Sequence, residues 1–284
     1  MDIRPAGTAP TLLRHYQSIF GKCFPEAAHL NEHYLAWLYA SNPAGPVIGL
    51  DAWDGDRLAA HYACIPVSAV VDGQSCGVML SLNTATDPDY QGQGLFTKLA
   101  EGTYAAGSAA GMAGIYGVAN ANSTPGFLRK LGFNLIRPLD AKIGLGTLLP
   151  DAAASALEEV QFRRNWDLPS LQWRCNNPLR SYHLSRAGSP GMIALAPTGK
   201  PFLSAFAQLP ETVEGAAVGA GGWGARLHLG LVPSALGKSK GRWCELPNRL
   251  RSSPLNLIYR RLDARIKPPS ADAVLFSVLD FDAF

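Results

Sequence analysis

The stretch "TDPDYQGQGLFTKLA", Thr86 to Ala100, sets two glycines, Gly92 and Gly94, among polar residues just ahead of an amphipathic segment. Glycine removes the Cβ that would keep a ligand away from the backbone. If Leu95 to Ala110 is a helix, its first amide N–H groups lack partners within the helix, and its dipole presents partial positive charge. A phosphate is stabilised at such a place, so the loop reads as an anion cradle.

Two nucleotide motifs fail against these glycines. A dinucleotide-binding turn needs a third glycine where Thr97 stands and an acid about twenty residues on, yet Glu101 is too near and the next acid is Asp140. A phosphate loop is no better served by "GLVPSALGKS", where six residues separate Gly230 from Gly237 and Pro233 intrudes.

The elements that must position the loop follow from periodicity. Thr11 to Phe20 and Glu32 to Ala40 carry apolar residues at helical spacing. From Val47 to Thr86 the chain is β-branched and apolar, with "WDGD" and "VDGQ" as turn signals, which predicts three successive antiparallel strands. After the glycine loop and its helix come a strand at Gly114 to Ala119, a short helix at Pro125 to Leu131 and a strand from Phe133 to Gly144. That order predicts an α/β fold around a mixed, mostly antiparallel sheet.

A Pro- and Ala-rich stretch near 148 to 165 suggests a boundary, dividing the chain into residues 1–150 and 151–284. "LAWLYASNP" at Leu35 to Pro43 and "LQWRCNNP" at Leu171 to Pro178 echo one another, each with a Trp two residues after a Leu and an Asn-Pro end. The echo reads either as an internal repeat or as two unrelated helices ending in turns. Trp37 and Trp173 are expected to be core rather than stacking platforms for a ligand.

Of the 284 residues, 47% are apolar and 17% charged, the composition of a globular chain. The start of the chain lacks the pattern of a secretory signal, and no later stretch is apolar enough for a span, so a cytoplasmic location and no membrane partner are expected. The five cysteines are scattered without a C-x-x-C pair, which predicts neither a disulfide framework nor a metal site. Charge is uneven: residues 1–150 hold 9 basic and 11 acidic residues, residues 151–284 hold 16 and 11. The basic excess, centred on "GKSKGRWCELPNRLRSSPLNLIYRRLDARIKPP", suits an anionic ligand or a solvated face equally.

The residues "NTATDPDYQGQGLFTKLAEGTYAAG" and "GVANANSTPGFLRKLGF" together resemble the GNAT superfamily of CoA-dependent N-acyltransferases. Gln91 and Gly94 stand in the Gln/Arg-x-x-Gly-x-Gly/Ala signature, with Phe96 at its final, normally small position. The resemblance covers about residues 10 to 147. It implies a GNAT fold whose loop, Gln91, Gly92, Gln93, Gly94, Leu95 and Phe96, wraps the pyrophosphate of acetyl-CoA or another short acyl-CoA. It further implies that Asn83, Thr84, Ala85 and Thr86, at the end of a splayed strand, pair with the pantetheine arm. Asn120 or Asn122 is either a cofactor contact or a helix cap. Residues 151–284 are similar to a degenerate second GNAT-like α/β domain without the loop, as in tandem members, forming the acceptor side.

Acyl transfer from a thioester needs a neutral amine, a donor to the oxyanion and help for the leaving thiolate. The Tyr that protonates the thiolate in many GNAT enzymes is replaced here by Leu128. His61, on a strand flanking the acyl site, is a candidate base or a structural histidine, and Tyr62 on the opposite face is expected to pack. Asp280 and Asp282 share one face of a predicted closing strand, as further candidate bases or as solvent-facing residues. The resemblance implies acyl transfer to the primary amine of a small acceptor, and similarity to tandem members, together with the basic second half, points to an anionic one such as a nucleotide-linked amino sugar. Two alternatives stand beside that reading. One is a Fem-type transferase using aminoacyl-tRNA, the only reading that calls for nucleic acid; the other is a non-catalytic CoA-binding module. Oligomeric state is not legible.

Overall fold

A computed structural model of the protein describes residues 1–150, 153–187, 191–237, 241–247, 249, 251 and 253–281. Two mixed sheets and five α-helices make up the described α/β fold.

Helix α1 (Pro10–Cys23) begins with Pro at its first position and buries Leu13, Tyr16, Ile19 and Phe20, a stripe at helical spacing. Helix α2 (Glu32–Ala40) is capped by Asn31, whose side chain accepts from the Tyr34 N–H at 3.0 Å. Strands β1 (Asp2–Pro5), β2 (Ile48–Asp54), β3 (Arg57–Val71) and β4 (Gln74–Thr86) then pair antiparallel in order. The two hairpin turns use positive φ at Gly55 and at Asp72-Gly73, as their sequences predict. Helix α3 (Leu95–Ala109) crosses one face of the sheet, and β5 (Gly114–Ala119) lies parallel to β4. Helices α1 and α2 cover the other face.

After helix α4 (Thr124–Lys130) the predicted strand Phe133 to Gly144 is two strands on two sheets: β6 (Asn134–Pro138) ends the first sheet, and β7 (Asp140–Leu145) enters the second. The break falls at Pro138, which cannot donate to a ladder on both sides. Strand β8 (Phe162–Arg164) pairs with the far end of β3. Helix α5 (Leu168–Cys175) starts in a reciprocal Asp167–Ser170 capping box.

The second sheet runs β13 (Arg242–Glu245), β7, β12 (Ala225–Gly230), β11 (Leu203–Leu209), β10 (Met192–Pro197), β9 (His183–Arg186). The last strand, β14 (Asn256–Arg261), returns to the first sheet between β5 and β6. Each half of the chain thus lends a strand to the other sheet. Both sheets repeat one pattern: an antiparallel meander, one parallel pair (β4 with β5, β11 with β12), then an antiparallel strand from the other half.

The echoed segments meet. Trp37 of α2 and Trp173 of α5 stack at 4.7 Å with planes 15° apart. Each indole N–H donates to the other's backbone carbonyl, at 3.2 and 3.1 Å. The Asn-Pro ends are also alike: Asn42 accepts from the Ala44 N–H and Asn177 from the Leu179 N–H.

Residues 273–281, read in the sequence as a closing strand, form only isolated bridges at Val274 and Phe276. The chain turns back where Asp280 accepts from the N–H and hydroxyl of Ser277. Among the described residues no helix is long and apolar enough to cross a membrane. Burial pushes the thiols of Cys64 and Cys175 up to about 12, so both are inert.

Candidate active site

Strand β4 pairs with β5 only from Met79 to Ser81, and beyond that point the two part. The parting coincides with a bulge: Tyr62 of β3 faces Thr84 while Ala63 faces Leu82, leaving Asn83 as the extra residue, at φ 44°. Asparagine is among the few residues that adopt this left-handed conformation readily. One edge of Leu82 to Thr86 therefore has no strand partner, which is the opening an extended amide-bearing chain would join.

The opening runs between two hollows. At the glycine-loop end, about 550 Å³ is lined by Thr84, Thr86, Gln91, Gly92, Gly94 and Phe96, with Lys22 and Lys130 at its sides. At the other end, about 380 Å³ lies among Leu82, Asn83, Val118, Tyr34, His29 and Phe281.

Gly92 and Gly94 have φ of 78° and 73°, so the turn alone requires glycine at both, a stronger reason than close approach. A Cβ at either would nonetheless meet only open space, so nothing of the protein blocks the cradle. Helix α3 starts at Leu95 with no side-chain cap on its first amides. Asp87 braces the loop, accepting from Arg57 at 2.9 Å, Lys22 at 3.1 Å and the Asp89 N–H. Burial alone would raise the Asp87 carboxyl, but these donors hold it below the usual range.

His61 is fully buried, and both ring nitrogens are engaged: Nδ1 with Asp51 at 2.7 Å and Nε2 with the Tyr39 hydroxyl at 2.9 Å. The network continues outward, since Asn83 Nδ2 donates to Tyr39 at 3.1 Å, and inward, since Tyr16 donates to Asp51 at 2.7 Å. With the ring proton on Nδ1, every donor finds an acceptor from Asn83 to Asp51. Burial drives the Tyr39 hydroxyl well above its ordinary pKa, so it stays protonated. His61 thus reaches the opening only through Tyr39 and Asn83.

The other expected residues separate. Ala85 is buried in β4, and Leu95 lines the loop end. Gln93 is exposed and lines neither hollow. Asn120 caps its own loop, its Oδ1 accepting from the N–H groups of Asn122 and Ser123, and Asn122 is exposed. Asp280 is not solvent-facing: it is buried and lines a different cavity. Asp282 lies outside the described residues. Leu128 lines a separate hollow with Asn256. Tyr62 packs as expected and also bonds Ser81 and Tyr104, each at 2.7 Å. Of the basic stretch, Arg251 pairs with Glu245, Arg260 with Glu101 and Arg265 with Asp263, so these charges do not converge.

Sequence reasoning missed Lys22, His29, Ser81 and Lys130, which come from four separate elements or loops and carry no common spacing. His29 lines the hollow at the Asn83 end, and burial holds its imidazole below the ordinary value, so it is neutral near pH 7.

Residues 11–136 match the profile of an acetyltransferase (GNAT) domain. The fold is similar to that of a probable N-acyltransferase of unknown function from Enterococcus faecalis, at TM-score 0.57 and 11% identity over 92% of this chain and 72% of that one. It is also similar to GCN5-related N-acetyltransferases from Anabaena variabilis (TM-score 0.58, 11% identity, 92% and 73% covered) and Kribbella flavida (0.58, 14%, 93% and 73%). At such identities the likeness speaks for the fold. No curated protein sequence matches the chain.

Proposed function

We propose that the protein, whose residues 11–136 match the profile of an acetyltransferase (GNAT) domain, transfers an acetyl or other short acyl group from its CoA thioester to the primary amine of a small acceptor. The observation that carries this reading is the parted edge of β4 running directly into the uncapped start of α3. The backbone amides of Gln91 to Phe96 would hold the pyrophosphate, with Lys22 and Lys130 at its sides, and Asn83 to Thr86 would pair with the pantetheine arm. Bound there, acyl-CoA supplies the activated carbonyl and a thiolate leaving group.

The protein's own groups divide the remaining work. His29, neutral and on the acceptor side, takes the proton of the attacking amine. Ser81, backed by the Tyr62 and Tyr104 hydroxyls, donates a hydrogen bond toward the leaving sulfur in place of the absent tyrosine. His61 is a positioning residue that holds Asn83 through Tyr39. Residues 1–150 carry the acyl donor, and residues 151–284 bound the acceptor through Phe281. Similarity to tandem members of the superfamily makes nucleotide-linked amino sugars the first acceptors to assay.

Calorimetric titration with acetyl-CoA, beside a Gly94→Glu variant, tests the reading. We expect saturable binding that the folded variant loses, because it forces a side chain into a left-handed position and a carboxylate into the cradle. Failure of the wild type to bind either acetyl-CoA or free CoA overturns the proposal. Intact binding with no turnover on any amine would leave a CoA-binding module.

A further inference from the structure

Strand β11 parts from β12 as β4 parts from β5. Pairing stops at Ala205 with Leu227, and beyond it Phe206 to Leu209 and His228 to Gly230 diverge. Between them and residues 275–280 lies a cavity of about 60 Å³. One water needs only ~10–15 Å³ by such a measure, so the space admits a small polyatomic ligand. It is far below the ~300 Å³ at which sites for larger ligands begin.

The cavity is polar and incompletely satisfied. His228 is 3% exposed and neither ring nitrogen has a partner in good hydrogen-bond geometry, the Phe206 backbone acting on the ring only weakly. Arg164 is 6% exposed; its Nε is unpartnered while its guanidinium lies over the Trp166 ring. The Nε of the neighbouring Arg163 is buried and unpartnered too, although its Nη1 meets the exposed Glu211 at 3.4 Å. The single buried acid of the lining, Asp280, directs Oδ2 at Ser277. Behind it the buried Arg174 donates to main-chain carbonyls of Val278 and Phe281. The lining sets two arginines beside two acids, Asp280 and the exposed Glu211, and the buried arginine N–H groups that remain open are stabilised by an anion that accepts from them.

We propose that this cavity binds a small oxyanion, a phosphate or a carboxylate group, held by Arg163, Arg164 and His228 in the parting of the second sheet. The second half then keeps an anion site of its own although it lacks the glycine loop. The open arginine Nε–H groups and an imidazole N–H would donate to the oxygens of such an anion.

The test titrates the wild-type protein with sodium phosphate and, separately, sodium acetate, at ionic strength held constant with sodium chloride. No acetyl-CoA is present, so the result is independent of the acyl-transfer reading. The readout is the histidine ring Cε1–H signals in NMR, with His228→Phe identifying that of His228. We expect the His228 signal to move saturably with one anion while the other histidines stay, and Arg163→Leu to weaken the response by about tenfold or more. A response to phosphate alone assigns a phosphate group; a response to acetate alone, a carboxylate. A His228 signal unmoved by both anions, or moved equally in Arg163→Leu, overturns the proposal and leaves a cavity filled by water.

Discussion

Beyond Ser81, β4 runs free of β5 into a glycine loop and a fifteen-residue helix; beyond Ala205, β11 runs free of β12 into a loop over residues 210–224 that contains no helix. Counting from the last paired residue, Gln208 occupies the place of Thr84. In the first sheet that place borders an open groove. In the second, Gln208 Oε1 accepts from the N–H groups of Leu148 and Leu149 at 2.7 and 2.9 Å, so the protein's own main chain bonds there. One sheet topology therefore makes two openings, and what each admits depends on which polar groups are left unpaired.

The largest effect is expected where the two halves are tied. Trp173→Ala removes one member of the reciprocal Trp37–Trp173 stack and should cost about 3–5 kcal/mol, as a shift of the denaturant midpoint. A loss under about 1 kcal/mol would show that this pair does not hold the halves together. Gln208→Leu, which leaves the amides of Leu148 and Leu149 without their acceptor, should cost about 1–3 kcal/mol while leaving acetyl-CoA affinity unchanged. A change in that affinity would mean the two openings are coupled.

Within the first opening, Tyr39→Phe severs His61 from Asn83. Turnover should fall about tenfold, or about 1.4 kcal/mol, with little change in acetyl-CoA dissociation constant. Unchanged turnover would make the buried network purely structural.

The last test separates two groups of the second opening by pH. Burial first, with Lys142 adding to it against a weaker effect of Asp140, lowers His228 to about 4. Burial, partly offset by Arg164 and Arg174, raises Asp280 to about 6. Between these values the unfolded chain protonates the histidine and the folded one does not, so His228 makes stability rise with pH. Asp280 does the reverse, because the folded state holds the proton that the unfolded state releases. Asp280→Asn should leave stability rising by up to about 1.4 kcal/mol per pH unit from 4 to 6, and His228→Gln should leave it falling. Identical slopes in both variants would contradict the opposed pair.

Much of the first region was legible. Glu32–Ala40 and Gly114–Ala119 are the elements that periodicity predicts, and the helix after the glycine loop begins at Leu95 as expected. The strand predicted from Phe133 to Gly144 instead changes sheet at Leu139, and residues 273–281 turn back at Asp280 rather than extending. Alternating apolar residues report burial on a face without reporting which sheet supplies it. The Trp echo was visible as a pattern, but only the stack of Trp37 on Trp173 shows the two copies in contact.

What the sequence by itself determined was local: the glycines of the cradle, hairpin turns, helix starts and the two-part acyltransferase pattern. Each of these rests on interactions within a few residues of chain. The tertiary structure alone decided that β7 and β14 change sheets, that His61 is sealed behind Tyr39, and that Lys22 and Lys130 border one hollow and His29 the other. It also brought Arg163, Arg164 and His228 around one cavity. Lys22 and Lys130, like the Arg163–Arg164 pair and His228, lie far apart in the chain and are brought together by elements packed on sheets whose strand partners local sequence pattern does not specify.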